Sequence, residues 1–129
     1  MPLVRVDALE GRSKEQIRNV LDAVHRAIVS AFKVPIRDRY QIYQEHPANQ
    51  MIVEDTGLGI QRTNDVLVVT VQSRPRTVEQ KQTFYRILCS ELKACCNIES
   101  SDIIVSLLIN ADVDWSFGYG RAQFFTGEL

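Results

Sequence analysis

The spacing of apolar residues changes period along the chain in a definite order. Leu3, Val4 and Val6 open with a strand-like cluster, and after Ser13 apolar residues recur at Ile17, Val20, Leu21, Val24, Ile28, Ala31 and Phe32. That three-and-four spacing predicts an amphipathic helix with one face on a core. Ser13 and Gln16 read as a capping box, the hydroxyl accepting from the Gln16 N–H while the Gln16 side chain reaches back. Pro35 is expected to stop the helix. Tyr40 to Gln44 reads as a strand, Met51-Ile52-Val53 as a short extended piece, and Gly57-Leu58-Gly59 as a turn. The same order then returns: a β-branched run from Val66 to Val71, a helix opened by Thr77, and an apolar strand from Ile103 to Ile109.

Laid on each other with a shift of 64 residues, the halves match Leu3 with Leu67, Val4 with Val68, Arg12 with Arg76, Glu15 with Glu79, Gln16 with Gln80 and Asp38 with Asp102. Identity is thin, and the pattern carries more weight than the letters. Ser13 and Thr77 take the same cap, and Val20, Val24, Ile28 and Val34 match Phe84, Leu88, Leu92 and Ile98 on the apolar stripe. The expectation is an α+β fold, a single domain of two β-α-β repeats at about residues 2–63 and 66–129. Right-handed crossovers place both helices on one face of a four-stranded sheet. Val68, Val69, Ile103, Ile104, Leu107 and Leu108 include neighbours that point to opposite faces, so the second face is expected to be apolar as well. Two helices cannot cover both faces, and self-association is predicted.

Composition narrows the function classes. The 129 residues carry 15 Lys+Arg against 16 Asp+Glu, a net charge of -1, which gives no general electrostatic reason to bind nucleic acid or an anionic membrane. No apolar run approaches a membrane span and no signal-peptide pattern opens the chain, so a cytoplasmic protein is expected. Cys89, Cys95 and Cys96 are an odd set with no His at ligand spacing, and His25 and His46 stand alone. The cysteines read as small apolar side chains in a reduced compartment, the histidines as structural or surface groups, and no metal site is expected.

Three features can carry chemistry. Removal of Met1 ahead of a small second residue leaves Pro2 with a free secondary amine, and an α-amino group titrates near pH 8, about two units below lysine. Such an amine can act as acid, base or iminium-forming nucleophile. Met-Pro by itself is an ordinary beginning. In Ser73-Arg74-Pro75-Arg76, Pro75 forces Arg74 into an extended conformation, so both guanidinium forks can converge on one carboxylate. Arg12 takes the place of Arg76 in the first half while Glu10 takes that of Arg74, which makes Arg74 the more distinctive. Asp38, just ahead of a strand and matched by Asp102, reads on the residues alone as a turn former. Asp114-Trp115-Ser116-Phe117-Gly118-Tyr119-Gly120 fits either a hairpin or the wall of an apolar pocket. Gly57-Leu58-Gly59 lacks the context of a dinucleotide fingerprint.

An N-terminal proline on a doubled β-α-β unit resembles the tautomerase superfamily. Pro2, Arg37-Asp38-Arg39-Tyr40, Glu54-Asp55-Thr56-Gly57-Leu58-Gly59, Ser73-Arg74-Pro75-Arg76, Asp114-Trp115-Ser116-Phe117-Gly118 and the ending Thr126-Gly127-Glu128-Leu129 together resemble its malonate semialdehyde decarboxylase family over the whole chain. The resemblance implies a homotrimer and cofactor-free conversion of malonate semialdehyde to acetaldehyde and carbon dioxide. It assigns Pro2 as the catalytic amine and Arg74 and Arg76 as the groups that hold the substrate carboxylate. Asp38 assists at the reacting carbonyl, against its structural reading, and Trp115, Phe117, Phe124 and Leu129 form a hydrophobic wall. Two other readings use the same residues: a tautomerase or hydratase of enol or unsaturated 2-oxo acids, and a binding protein without activity.

Overall fold

The computed structural model describes residues 2–129. Its elements run β1 (Leu3–Leu9), α1 (Lys14–Phe32), β2 (Tyr40–His46), β3 (Leu67–Ser73), α2 (Val78–Cys96), β4 (Ile103–Ile109) and a one-turn α3 (Gln123–Thr126). Single 3-10 turns lie at Ala48–Gln50, Ser100–Asp102 and Asp112–Asp114. Shifted by 64 residues, β1 falls on β3 and α1 on α2 end for end, while β2 and β4 differ by one residue. The sheet order is β2-β1-β3-β4. Each outer strand is parallel to its own crossover partner, and the two inner strands, β1 and β3, are antiparallel.

Local chemistry explains the helix ends. Ser13 and Thr77 each complete the predicted capping box, with Gln16 and Gln80 respectively. Each helix ends in a left-handed residue, Lys33 at φ 55 and Asn97 at φ 54, whose N–H returns to the last turn. The α1 stop is therefore Lys33, ahead of the expected Pro35. Ala23, Ala27 and Ala31 are spaced along one side of α1 and let α2 approach closely with Phe84, Leu88 and Leu92. Beneath the helices lie Val4, Val6 and Ala8 of β1 and Leu67, Val69 and Val71 of β3.

Met51 is extended, at φ -144 and ψ 110, and Met51-Ile52-Val53 joins no sheet, because the chain has left the sheet edge at His46. Two expectations need correction. The open sheet face is mixed rather than apolar: by register it carries Leu3, Ile42, Val68, Ile104 and Leu108 beside Arg5, Asp7, His46 and Thr70. Asp7 there receives Arg5 at 3.3 Å and contacts His46 at 2.7 Å. Cys95 is exposed, with the Arg26 guanidinium donating to its Sγ at 3.0 Å, and only Cys89 and Cys96 are partly buried. Among the described residues no helix is long and apolar enough to cross a membrane.

Asp102 is 1% exposed and accepts from the Thr63 N–H at 2.7 Å and the Thr63 hydroxyl at 2.5 Å, pinning the chain that enters β3. Asp102→Ala removes both hydrogen bonds to Thr63 and leaves the fully buried Asp102 position partly empty, and is expected to cost about 2 kcal/mol. Ser13→Ala, which removes a cap at the surface, is expected to cost about 1 kcal/mol. Urea titrations at one protein concentration check both, and equal midpoints for the two variants contradict the ranking.

Candidate active site

The ladder itself brings the sequence candidates to one end of the sheet. Leu3 stands opposite Gln72 on β3 and opposite Tyr40 on β2, so the residue before it, Pro2, stands between the ends of those two neighbours. Pro2 is buried and shares the pleat phase of Val4 and Val6, toward the helices. Beyond Ser73 the chain gives Arg74 and Arg76, and just before Tyr40 it gives Asp38. Residues far apart in sequence thus meet because the two halves run in opposite directions.

A cleft of about 620 Å³ opens at this end, lined by Phe32, Lys33, Val34, Pro35, Arg37, Asp38, Arg74, Arg76, Phe124 and Leu129. Arg74 donates to Asp112 through two nitrogens, Nε at 2.6 Å and Nη2 at 3.3 Å, and its guanidinium lies 4.2 Å from the centre of the Phe124 ring. Arg76 donates from Nε to the Ser73 hydroxyl at 3.0 Å and from Nη1 to the Phe32 carbonyl at 3.3 Å, stacked 4.8 Å from the Phe32 ring centre. Each arginine is held in place by a hydrogen-bonding partner and an aromatic face, which leaves other donors of the fork for a ligand. Arg74 and Arg76 follow directly on the end of β3, and each fork is oriented by its own partner.

Asp38 is 8% exposed. Burial pushes its carboxyl above the usual carboxylate range, against the pull of nearby positive charges, Arg76 and His25 among them. Burial also draws the Arg76 guanidinium below its ordinary value, with the Arg74 charge adding to this and Asp38 opposing it. His25 is buried under the loop that carries Asp38, its Nε2 2.8 Å from the Ile36 carbonyl.

The wall comes from the segment after β4. Asn110 returns its N–H to the Ser73 carbonyl at 2.9 Å and its side chain receives the Trp115 indole N–H at 2.7 Å. The chain then crosses the end of the sheet with Trp115 stacked on Phe117 at 5.5 Å, Phe117 on Tyr40 at 5.7 Å, and Phe117 edge-on to Phe124 at 5.3 Å. Phe124 and Leu129 line the cleft, while Phe117 backs Phe124 and Trp115 backs Phe117. The segment is no hairpin. Asp112 was not singled out in the sequence, and Phe32 and Tyr40 were read there without a role of their own in the site. The acid that orients Arg74 sits 38 residues away, a distance at which pairing leaves no local signal.

The opposite end of the sheet holds a counterpart cleft of about 660 Å³, with Glu10 in the place of Arg74, Arg12 in that of Arg76 and Cys96 in that of Phe32. Arg12 there is committed to the Asp65 carbonyl at 2.8 Å. That cleft has Arg12 against two acids, Glu10 and Asp65, and no aromatic wall, whereas the first is lined by four cations against Asp38. A small anion is favoured only at the first.

Comparison with known proteins agrees with this geometry. Two family models, each described as tautomerase enzyme, match residues 38–118 and 2–61. "Probable tautomerase YrdN" of Bacillus subtilis (strain 168) is 52% identical over 129 residues, covering 100% of both chains. The class of protein is thereby set: the chain belongs to the tautomerase superfamily. A crystal structure of malonate semialdehyde decarboxylase, described in terms of decarboxylase and hydratase activities, is 50% identical with a TM-score of 0.97 and covers 98% of each chain. A second malonate semialdehyde decarboxylase, inhibited by 3-bromopropiolate, is 42% identical with a TM-score of 0.94, covering 98% of this chain and 97% of the other. Within the superfamily, the chain falls in the malonate semialdehyde decarboxylase family.

The direction of the Asp38 shift has a thermodynamic consequence. An acid whose folded value is raised binds more protons folded than unfolded, so stability falls as pH rises from the unfolded value, near 3.8, through the folded one. Asp38→Asn removes that penalty. Its thermal midpoint is expected to exceed that of the parent protein by more at pH 7 than at pH 4, measured by circular dichroism. A gap that is constant or shrinks toward neutral pH contradicts the assignment.

Proposed function

We propose that this protein is a cofactor-free decarboxylase of a small β-carbonyl acid, malonate semialdehyde, releasing acetaldehyde and carbon dioxide. The observation that carries this reading is the arrival of Pro2, Asp38, Arg74 and Arg76 at one end of the sheet. The similarity to malonate semialdehyde decarboxylases supports it.

Breaking the bond between the α-carbon and the carboxylate leaves an electron pair that the β-carbonyl must accept as an enolate or its nitrogen equivalent. The barrier falls when that position is already electron-poor. Pro2 supplies this in one of two ways: as an ammonium that hydrogen-bonds the carbonyl oxygen, or as a neutral amine that adds to the aldehyde, loses water and forms an iminium. Carbon dioxide then leaves, and the α-carbon is reprotonated. In the iminium route water finally releases acetaldehyde and restores the amine. Arg74 and Arg76 hold the carboxylate in place, and Asp38, whose burial pushes its carboxyl above the usual carboxylate range, assists at the carbonyl. The wall of Trp115, Phe117, Phe124 and Leu129 keeps water from the developing enolate.

A second reading is specific enough to keep. A relative named a probable tautomerase and a neighbour associated with hydratase activity support proton transfer or water addition on enol or unsaturated 2-oxo acids by the same groups. The ratio of turnover on malonate semialdehyde to that on an enolpyruvate decides which reaction dominates. With Met1 removal checked by intact mass, Pro2→Ala, Arg74→Ala and Arg76→Ala are each expected to lower malonate semialdehyde turnover by about 10²-fold or more. Undiminished turnover in the Pro2 variant overturns the mechanism. Borohydride trapping of an adduct on Pro2 separates the iminium route from the hydrogen-bonding one.

We infer also that the chain works as a homotrimer. Ile42 and Leu108 on the open sheet face are 47% and 50% exposed, and Ile52 and Leu58 on the long connection 83% and 74%, apolar side chains that contact with further copies would cover. Sedimentation at micromolar concentration is expected to give three times the chain mass, and a clean monomer contradicts this.

A further inference from the structure

The four cations that border the cleft do not stand on equal terms. Arg74 and Arg76 are both engaged, the first by Asp112 and Phe124, the second by Ser73 and Phe32. Lys33 and Arg37 also line it, are exposed, and make no side-chain hydrogen bond or ion pair with any described residue. Exposed cations on a loose loop are ordinary surface charge. These two stand on a short connection tied at several points: the Lys33 N–H to the Val29 carbonyl at 3.0 Å, buried His25 to the Ile36 carbonyl at 2.8 Å, and the Asp38 N–H to the Pro35 carbonyl at 3.0 Å. Their Cα atoms are thereby held at one rim of the cleft.

Two further observations bear on what that rim does. In the other half of the chain, 64 residues on, the positions of Lys33 and Arg37 hold Asn97 and Ser101. The loop geometry recurs there with the same left-handed cap, so the cations are not required by the turn. The cleft, at about 620 Å³, also lies in the range of sites that enclose ligands far larger than a three-carbon acid.

We propose that Lys33 and Arg37 form a second anion subsite at the mouth of the cleft, so that the site takes aliphatic dicarboxylates, one carboxylate on Arg74 and Arg76 and the other at the rim. The inference rests on the reading of Arg74 and Arg76 as carboxylate-binding groups and widens the substrate class of that site. A three-carbon monoacid uses the inner pair alone, and a longer diacid uses both pairs.

The single tryptophan gives a readout that needs no turnover, because Trp115 stacks on Phe117, which abuts the cleft residue Phe124. Glutarate and pentanoate, equal in length and differing in one carboxylate, are titrated at constant ionic strength, with ligand line broadening by NMR as a second readout. In the parent protein glutarate is expected to bind about tenfold more tightly, the scale of two partly exposed charge pairs. Lys33→Ala/Arg37→Ala is expected to abolish that advantage and leave pentanoate unchanged. Lys14→Ala/Arg86→Ala, which removes the same charge outside the cleft, keeps it. Equal affinities in the parent protein, no binding of either acid, an advantage that survives the rim variant, or one lost in the control each overturn the proposal. Arg74→Ala separates the two claims: if it weakens neither acid, the inner assignment fails, whatever the rim variant does.

Discussion

The antiparallel pairing of β1 with β3 is the contact on which the rest of this structure depends. Each half alone is a parallel pair with one crossover helix, and neither could bury its sheet face unaided. Joining the halves through Leu3 opposite Gln72 and Ala8 opposite Leu67 makes one four-stranded sheet under two helices. It also relates the halves by an approximate two-fold rotation. The start of β1, the end of β3, the end of α1 and the start of α2 fall at the same edge. Had the halves joined in parallel, Pro2 and Arg74 would sit at opposite ends of the sheet, and no site could form from them.

That rotation produces two similar ends, and single residues make them unlike. Glu10 against Arg74, Cys96 against Phe32, and Asn97 against Lys33 turn one cleft into a recess with more acids than bases and the other into a cationic one. The aspartates diverge in the same way. Asp102 is satisfied by Thr63 and serves the fold. Asp38 is buried near other charges, and its carboxyl is shifted upward in consequence. A buried carboxyl with a raised value costs stability at neutral pH and suits proton traffic, a common trade at sites of chemistry.

The segment after β4 completes what the two halves leave open. Anchored by Asn110 on Ser73, it brings Asp112 onto Arg74 and lays a line of aromatic rings across the end of the sheet. The arginine is oriented by an acid on one side and a ring on the other, so its fork is fixed before any ligand arrives. Such preorganisation lowers the entropic cost of binding a small carboxylate.

Much of the architecture was legible in the amino-acid order, because helix caps, apolar stripes and β-branched runs act over a few residues and leave periodic traces. Ser13 with Gln16, Thr77 with Gln80, and the stripe from Val20 to Ile28 are such local signals. The family motifs named Pro2, Asp38, Arg74 and Arg76, and the ladder then brought them to one edge. Other features were invisible in one dimension. The Arg74–Asp112 pair, the stacking of Tyr40 on Phe117 and the mixed polarity of the open sheet face depend on register and on chain reversal between distant segments. The same is true of the upward shift of Asp38, since burial is a property of the packed molecule: a carboxyl two residues before a strand ordinarily faces water, and only the closure of α1, the sheet edge and the arginine loop around it takes that water away.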